Sequence, residues 1–139
     1  MMEEIISNKE VIDFLKSKSR GILAINNVDG YPLQFPIWLL ADKNGQVVFN
    51  SPQGREWPSL VRINNYFCSI LINSEDKAVE FIGKVKVEDD EKIARKQILE
   101  LTKRVYSATS KPEMTQDLFK GKRLAKFTLI PQLIRTIGI

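Results

Sequence analysis

Two tight-turn signals in the first fifty residues constrain the fold of this chain more than any other feature. Asp29-Gly30 and Asn44-Gly45 each separate two runs rich in apolar and β-branched residues. Asp-Gly and Asn-Gly adopt the positive-φ turns that join neighbouring antiparallel strands. The pattern therefore predicts successive β-hairpins, with strands over 22–26, 31–40 and 46–50.

The second of these strands carries two prolines, Pro32 and Pro36. Because proline has no N–H to donate to a neighbouring strand, it is found at sheet edges and bulges. The prolines predict a strand that is irregular, bulged or at an edge. Backbone groups left unpaired there could face a ligand.

The rest of the chain adds more strands and two substantial helices. A capping box at Ser7–Glu10 predicts an N-terminal helix, and acidic residues from Asp89 open a helix that runs to Tyr106. A short helix over 55–64 and a helical turn over 116–120 are also expected. Further strands are predicted over 66–73, 78–88, 123–130 and 133–139, with a bulge or close approach at Gly83 and a break at Pro131. The fold class is mainly β with helical decoration: one barrel domain over 1–139, with six to seven mostly antiparallel strands.

The sequence contains no histidine and a single cysteine, Cys68. Histidine-dependent nucleophile systems, haem on a proximal histidine and the common zinc and iron–sulfur sites are therefore excluded within this chain. Any redox or group-transfer chemistry needs a bound organic cofactor. Cys68 lies in an apolar strand, which predicts inert packing.

The net charge is +4, and the charged residues of both signs are interleaved. Solvent-exposed faces explain this charge pattern, so no nucleic-acid partner is expected. A small anionic ligand suits the net positive charge equally well. No apolar run approaches the roughly 20 residues of a membrane span. The start of the chain lacks the pattern of a signal peptide, so we expect a cytoplasmic protein without a membrane partner.

The stretch from Gln34 to Leu60 carries the main functional signal. The strand ending at Asn50 leads through Gly54 to Arg55, where a helix begins. A helix N-terminus with an adjacent guanidinium is a natural phosphate cradle, although an exposed arginine without a ligand is the alternative.

The order of motifs resembles the pyridoxamine 5'-phosphate oxidase-like FMN-binding split-barrel family. The segments that carry the resemblance are G-I-L-A-I, the Asp-Gly turn, Y-P-L-Q-F-P-I-W and V-V-F-N-S-P-Q-G-R, followed by F-I-G-K-V-K-V and L-A-K-F-T-L-I-P-Q-L-I-R. Together they cover the chain from Lys16 to its end. The resemblance implies a split β-barrel, bound FMN, a small-molecule substrate and a homodimer with two flavin sites at its interface.

The resemblance also assigns cofactor-binding residues. Those lining the flavin, largely through backbone groups, are Gln34, Phe35, Pro36, Ile37 and Trp38. Phe49 and Asn50 match the pair that contacts the ring and the phosphate end, and Arg55 matches a phosphate ligand. Ala78 matches a position that contacts the partner's flavin. Trp57 could cover the ligand or staple its helix, and Trp38 could instead belong to the core or the dimer interface.

The sequence departs from the family at two positions. Glu56 stands where a second basic phosphate ligand is expected, and Gln34 replaces an arginine. Lys16, Lys18, Arg20 or Arg62 could compensate for the missing charge. The namesake oxidase activity is disfavoured, because the histidine that holds its substrate is missing. A deazaflavin F420-dependent reductase and a non-catalytic flavin- or partner-binding module stay open, and the sequence identifies no catalytic acid or base and no metal site.

Overall fold

The computed structural model describes residues 9–41, 45–52, 56–106 and 124–139; the side chains of residues 51, 52, 56, 57, 102, 104–106 and 124 are outside this description. The helices are α1 (Lys9–Lys16), α2 (Glu56–Ile63) and α3 (Glu91–Tyr106). The strands are β1 (Arg20–Asn26), β2 (Pro32–Ala41), β3 (Val47–Pro52), β4 (Phe67–Ser74), β5 (Lys77–Glu88) and β6 (Leu124–Ile137).

The described strands form a closed barrel in the order β1-β2-β3-β6-β5-β4, and every pairing is antiparallel. The chain-adjacent pairs β1–β2, β2–β3 and β4–β5 are neighbours in the barrel, and β6 closes it by inserting between β3 and β5. The mainly β fold class with helical decoration is confirmed, with six strands in the described residues.

The core is the barrel interior, filled by alternate residues of each strand because successive side chains point to opposite faces. Its fully buried members include Leu23, Leu39, Phe49, Ile70, Ile72, Val79, Phe81 and Leu129. The rings of Phe49 and Phe127 stack with centroids 5.4 Å apart. Helices α1 and α2 add Val11, Leu15, Leu60 and Val61 to the same cluster.

The predicted break at Pro131 is wrong, because β6 is one strand that continues through it. In the β5–β6 pairing, Ile82 lies opposite Leu133, whereas the next residue, Gly83, lies opposite Pro131. Gln132 is therefore an extra residue in β6 without a partner position in β5. A bulge leaves a residue out of the ladder, which accommodates a proline without ending the strand. Both alternatives predicted at Gly83 are confirmed: the register shifts there, and a Cβ on Gly83 would collide with the carbonyl oxygen of Ile130.

The prolines of β2 mark an edge, not a bulge. Residues 32–38 pair regularly with β1, whereas β2 pairs with β3 only over Leu39–Ala41. Of the three predicted alternatives, the edge strand is therefore the observed one.

The helix boundaries follow local capping chemistry. Helix α3 begins at Glu91 because the Oδ1 atom of Asp90 accepts the N–H of Lys92 at 2.9 Å, so the acidic cluster caps the helix as predicted. Ser7, Asn8 and the predicted turn over 116–120 lie outside the described residues. No helix in the described ranges is both long and apolar enough to cross a membrane.

Candidate functional site

The barrel opens where β2 and β3 diverge. Their pairing is confined to Leu39–Ala41 against Val47–Phe49. Beyond it, residues 32–38 pair only with β1, and residues 50–52 pair only with β6. We call the gap between these two segments the β2–β3 notch.

The backbone of β2 turns polar groups toward this notch. The N–H of Leu39 donates to the carbonyl of Ser19 at 2.9 Å, so the backbone groups of Leu39 face β1. Because these groups alternate along a strand, the N–H of Gln34 and the carbonyl of Pro36 face the opposite side, toward the notch. The proline nitrogens also face that side, which explains why β1–β2 pairing tolerates them.

Two of the predicted residues lie together on the outer face of the barrel, under α3. Trp38 packs against a small cluster formed by Ala94, Ile98 and Leu101. The Nδ2 atom of Asn50 donates to the carbonyl of Ala94 at 3.0 Å and to Oε1 of Gln97 at 2.6 Å. Trp38 therefore serves packing, and Asn50 ties β3 to the helix above it.

The Asn50–Gln97 pair leaves two buried polar atoms without partners. These are the acceptor Oδ1 of Asn50 and the donor Nε2 of Gln97, whose residue is only 5% exposed. Buried polar atoms without hydrogen bonds are costly and uncommon, so such a pair calls for an explanation. The sequence analysis did not single out Gln97, although a polar residue beside Ala94 and Ile98 in a buried helical stripe was the available signal.

Three other predicted residues point into the barrel. Ile37 is buried, Phe35 packs against the core, and the ring of Phe49 is fully buried. Their side chains are core components, so a contact with a ligand outside the barrel would come from their backbone. Gln34 and Pro36, in contrast, are exposed at the edge.

The predicted phosphate cradle is only partly visible. Arg55 lies outside the described residues, but α2 begins immediately after it at Glu56. An acidic residue in the first turn of a helix stabilises the helix dipole, which gives Glu56 a role without a ligand. Trp57 occupies the same turn, and its side chain is not described.

Of the cations that could compensate for Glu56, Arg20 lies on β1, on the side of β2 away from the notch. It is exposed and lies directly opposite Trp38 in the β1–β2 pairing. Lys18 instead places its Nζ atom 5.2 Å from the ring centroid of Phe14. Arg62 lines a different cleft with Tyr66 and Asp89.

Ala78 is distant from the notch along the sheet. It pairs with Ile137, at the end of β6 opposite to the residues that pair with β3. Contact between Ala78 and a flavin in the notch would thus require a second subunit, as the resemblance implies.

The described residues offer no further reactive centre. Cys68 is buried, and burial raises the pKa of its thiol to about 12, which confirms inert packing. Within the described ranges, no group of three or more acidic or cysteine residues is placed to hold a metal ion.

Comparisons with known proteins identify the fold. The sequence matches no protein-family model and no curated protein. An F420 reductase aligns with a TM-score of 0.70 at 17% identity, over 88% of this chain and 94% of that one. The FAD binding protein from Mycobacterium smegmatis aligns with a TM-score of 0.59 at 20% identity, over 94% and 96%.

A third solved structure is a Clostridium acetobutylicum protein of the pyridoxinephosphate oxidase family, related to general stress protein 26 of B. subtilis. It aligns with a TM-score of 0.69 at 9% identity, over 96% of this chain and 88% of that one. The chain therefore has the split-barrel fold of the pyridoxamine 5'-phosphate oxidase-like proteins that its motifs resemble.

Proposed function

We propose that this protein binds FMN in the β2–β3 notch and acts as an FMN-dependent oxidoreductase on a small molecule in the cytoplasm. The observation that carries the proposal is the β2 edge: residues 32–38 keep their pairing with β1 and leave the other side to the notch. Similarity to an F420 reductase and an FAD binding protein supports a nucleotide cofactor of this kind.

The β2 edge suits the flavin ring because it presents backbone donors in a fixed strand. In this proposal the N–H of Gln34 hydrogen-bonds the polar edge of the ring. Donors fixed before the reaction stabilise negative charge without reorganising, which favours the reduced cofactor. Bound flavin supplies hydride transfer, and the protein supplies binding, orientation and electrostatics.

Asn50 suits the sugar-like chain between ring and phosphate. Its buried Oδ1 atom is an acceptor without a partner, and hydroxyl groups are the donors that would satisfy it. A phosphate oxygen would not, because both groups are acceptors. The ring-to-phosphate direction would then run from β2 across Asn50 toward the start of α2.

The phosphate end is assigned to the N-terminus of α2 and Arg55. Free N–H groups at a helix N-terminus attract anions, and guanidinium can bind phosphate through two hydrogen bonds. Arg20, opposite Trp38 on β1, is our candidate for a second positive charge, which would have to reach the cofactor across β2. These positive groups would compensate for position 56, where Glu56 stands in place of the expected second basic phosphate ligand.

The homodimer is supported by an apolar surface on the outer face of β5 and β6. We call it the β5–β6 patch, and its apolar members are Ile82, Ile130, Leu133 and Ile137, with the Arg135–Glu80 salt bridge between the last two. Ile130, Leu133 and Ile137 are 45%, 49% and 55% exposed. Exposed apolar clusters mark protein interfaces, and Ala78, itself buried, pairs with Ile137 at the end of this patch. Dimerisation through the patch would bring Ala78 toward the partner's flavin.

Leu133→Lys tests this interface. We expect the variant to be monomeric by light scattering at micromolar concentration, because burying an unpaired charge in an interface is costly. Val28→Lys is the matched control, since Val28 is 72% exposed at the β1–β2 turn. A wild-type monomer with flavin bound would contradict the dimer.

The absorption spectrum of the protein as purified tests the cofactor. Two visible flavin bands, removed by denaturation and restored by added FMN, are expected. The F420 reductase alternative, favoured by the similarity to such a reductase, predicts a single blue-shifted band. A colourless protein that binds neither compound would favour the non-catalytic module, which Glu56 also supports.

A further inference from the structure

A second cleft lies on the outer face of the barrel, beside α3. It has a volume of about 390 Å³, and its lining is mainly apolar, with Leu40, Val48 and Ile93 among its residues. Neither Asn50 nor any of residues 32–38 lines it, but its lining residue Gln97 hydrogen-bonds Asn50, so the cleft adjoins the β3 side of the β2–β3 notch. Its size and its apolar surface with a few polar groups are typical of small-molecule sites.

One flank of α3 and one residue of β6 supply the polar groups. Ile93, Lys96, Gln97 and Glu100 line the cleft, and their spacing places them on one helix face. Lys126 reaches the cleft from β6, where it lies directly opposite Asn50. A lysine of α3 and a lysine of β6 thus line the same cleft.

No described residue forms a salt bridge with Lys96 or Lys126, although Glu88 lies directly opposite Lys126 in the β5–β6 pairing. The salt bridges between described residues join Lys77 to Glu10 and Arg135 to Glu80. Glu100 follows Lys96 by four residues, the less favourable order for a helical ion pair, and no pair forms between them. The cleft therefore carries a net charge of +1 from Lys96, Lys126 and Glu100.

The polar residues of the lining differ in how they can meet a ligand. The Nε2 atom of Gln97 is buried without a partner, while its Oε1 atom accepts from Asn50. Lys96 and Lys126 in the lining favour a ligand that brings acceptor oxygens, whereas the Nε2 atom of Gln97 is buried below the surface of the cleft. Glu100 disfavours a second negative charge on that ligand, because like charges repel at short range.

We propose that this cleft binds a small amphipathic monocarboxylate. The apolar body lies on Leu40, Val48 and Ile93, and the carboxylate lies between Lys96 and Lys126.

Octanoate is the probe, titrated into the full-length protein saturated with FMN and followed by side-chain NMR. Saturable shifts at Leu40, Val48, Ile93 and Gln97 are expected, with a dissociation constant of about 1 mM for a ligand of this size. Lys96→Gln and Lys126→Gln should each weaken binding about 1.4- to fivefold, the range for an exposed charge pair. Lys84→Gln, at an exposed lysine of β5, is the matched control and should leave binding unchanged.

Several results would overturn the proposal. Equal affinity for 1-octanol would show an apolar groove without charge recognition, and tighter binding of octyl phosphate would show a dianion site. Competition between octanoate and FMN would place the cleft within the cofactor site. Absence of saturable shifts at about 10 mM octanoate, well above the expected dissociation constant, would mean no site at all. The same titration without FMN gives the same test if the cofactor proposal fails, because the cleft shares no lining residue with the β2 edge.

Discussion

Gln34→Pro removes a single hydrogen-bond donor from the β2–β3 notch. Proline keeps the extended backbone but has no N–H, and it already occupies positions 32 and 36 on the same edge. The N–H of Gln34 faces away from β1, so the β1–β2 pairing should survive. The side chain of Gln34 is exposed, which makes Gln34→Ala the matched control: it removes the side chain and keeps the N–H.

The expected loss follows from what the N–H contributes. A hydrogen bond to the neutral oxidised ring contributes about 0.5–1.5 kcal/mol, so FMN affinity should fall about two- to twelvefold in Gln34→Pro. A hydrogen bond to the charged reduced ring contributes about 1.5–3 kcal/mol. The difference of about 1–1.5 kcal/mol lowers the two-electron reduction potential by roughly 20–30 mV.

Fluorescence titration with FMN and a reductive titration against a reference dye measure both quantities. Urea unfolding of the FMN-free variant checks that the barrel is intact. Equal affinity and equal potential for Gln34→Pro and Gln34→Ala would refute the assignment of this backbone group to the flavin.

Three further predictions concern packing, protonation and the phosphate. Gly83→Ala should lower the free energy of unfolding by about 2–3 kcal/mol, because a Cβ there meets backbone atoms of Ile130 and Pro131 that cannot rotate away. The control Gly30→Ala, strained only by its φ of 84°, should lower it by about 1 kcal/mol. Equal urea midpoints for the two variants would contradict this prediction. Burial raises the Cys68 pKa from 9.0 to about 12. The protonated Cys68 thiol therefore contributes fully to stability below pH 9.0, and this contribution is lost as the pH rises toward about 12. Cys68→Ala should remove that part of the pH dependence of urea unfolding. Arg55→Ala should weaken FMN binding by about 1.5–3 kcal/mol in a fluorescence titration, whereas Lys86→Ala, on the solvated face of β5, should not; unchanged affinity would remove Arg55 from the site.

Local chemistry made most of the fold predictable. The Asp-Gly turn joins β1 to β2 as expected, since Gly30 has a φ of 84° that other residues rarely adopt. Alternation along 78–88 placed Val79, Phe81 and Val85 in the core. Pro131 misled the prediction because its effect depends on the partner strand: opposite Gly83, a bulge accommodates it.

The candidate site was less predictable because it combines distant segments. The prolines of β2 indicated an unpaired edge, but only the pairing of β3 with β6 shows where the notch opens. Trp38 and Asn50 are adjacent in space because α3 covers both, and no sequence spacing links them to Ala94 or Gln97. The inward direction of Phe49 also required the barrel, since a strand pattern alone does not say which face is inside.

Turn residues, prolines and alternation in the sequence determined the strands and their hairpins, because these depend on backbone preferences within a few residues. The composition, which contains no histidine, excluded histidine chemistry. The tertiary structure decided which β2 groups face the notch, that Gln97 and Asn50 share a hydrogen bond, and that Lys96 and Lys126 border one cleft. These features arise from the closure of the barrel and the packing of α3 on it, which bring together residues far apart in the chain.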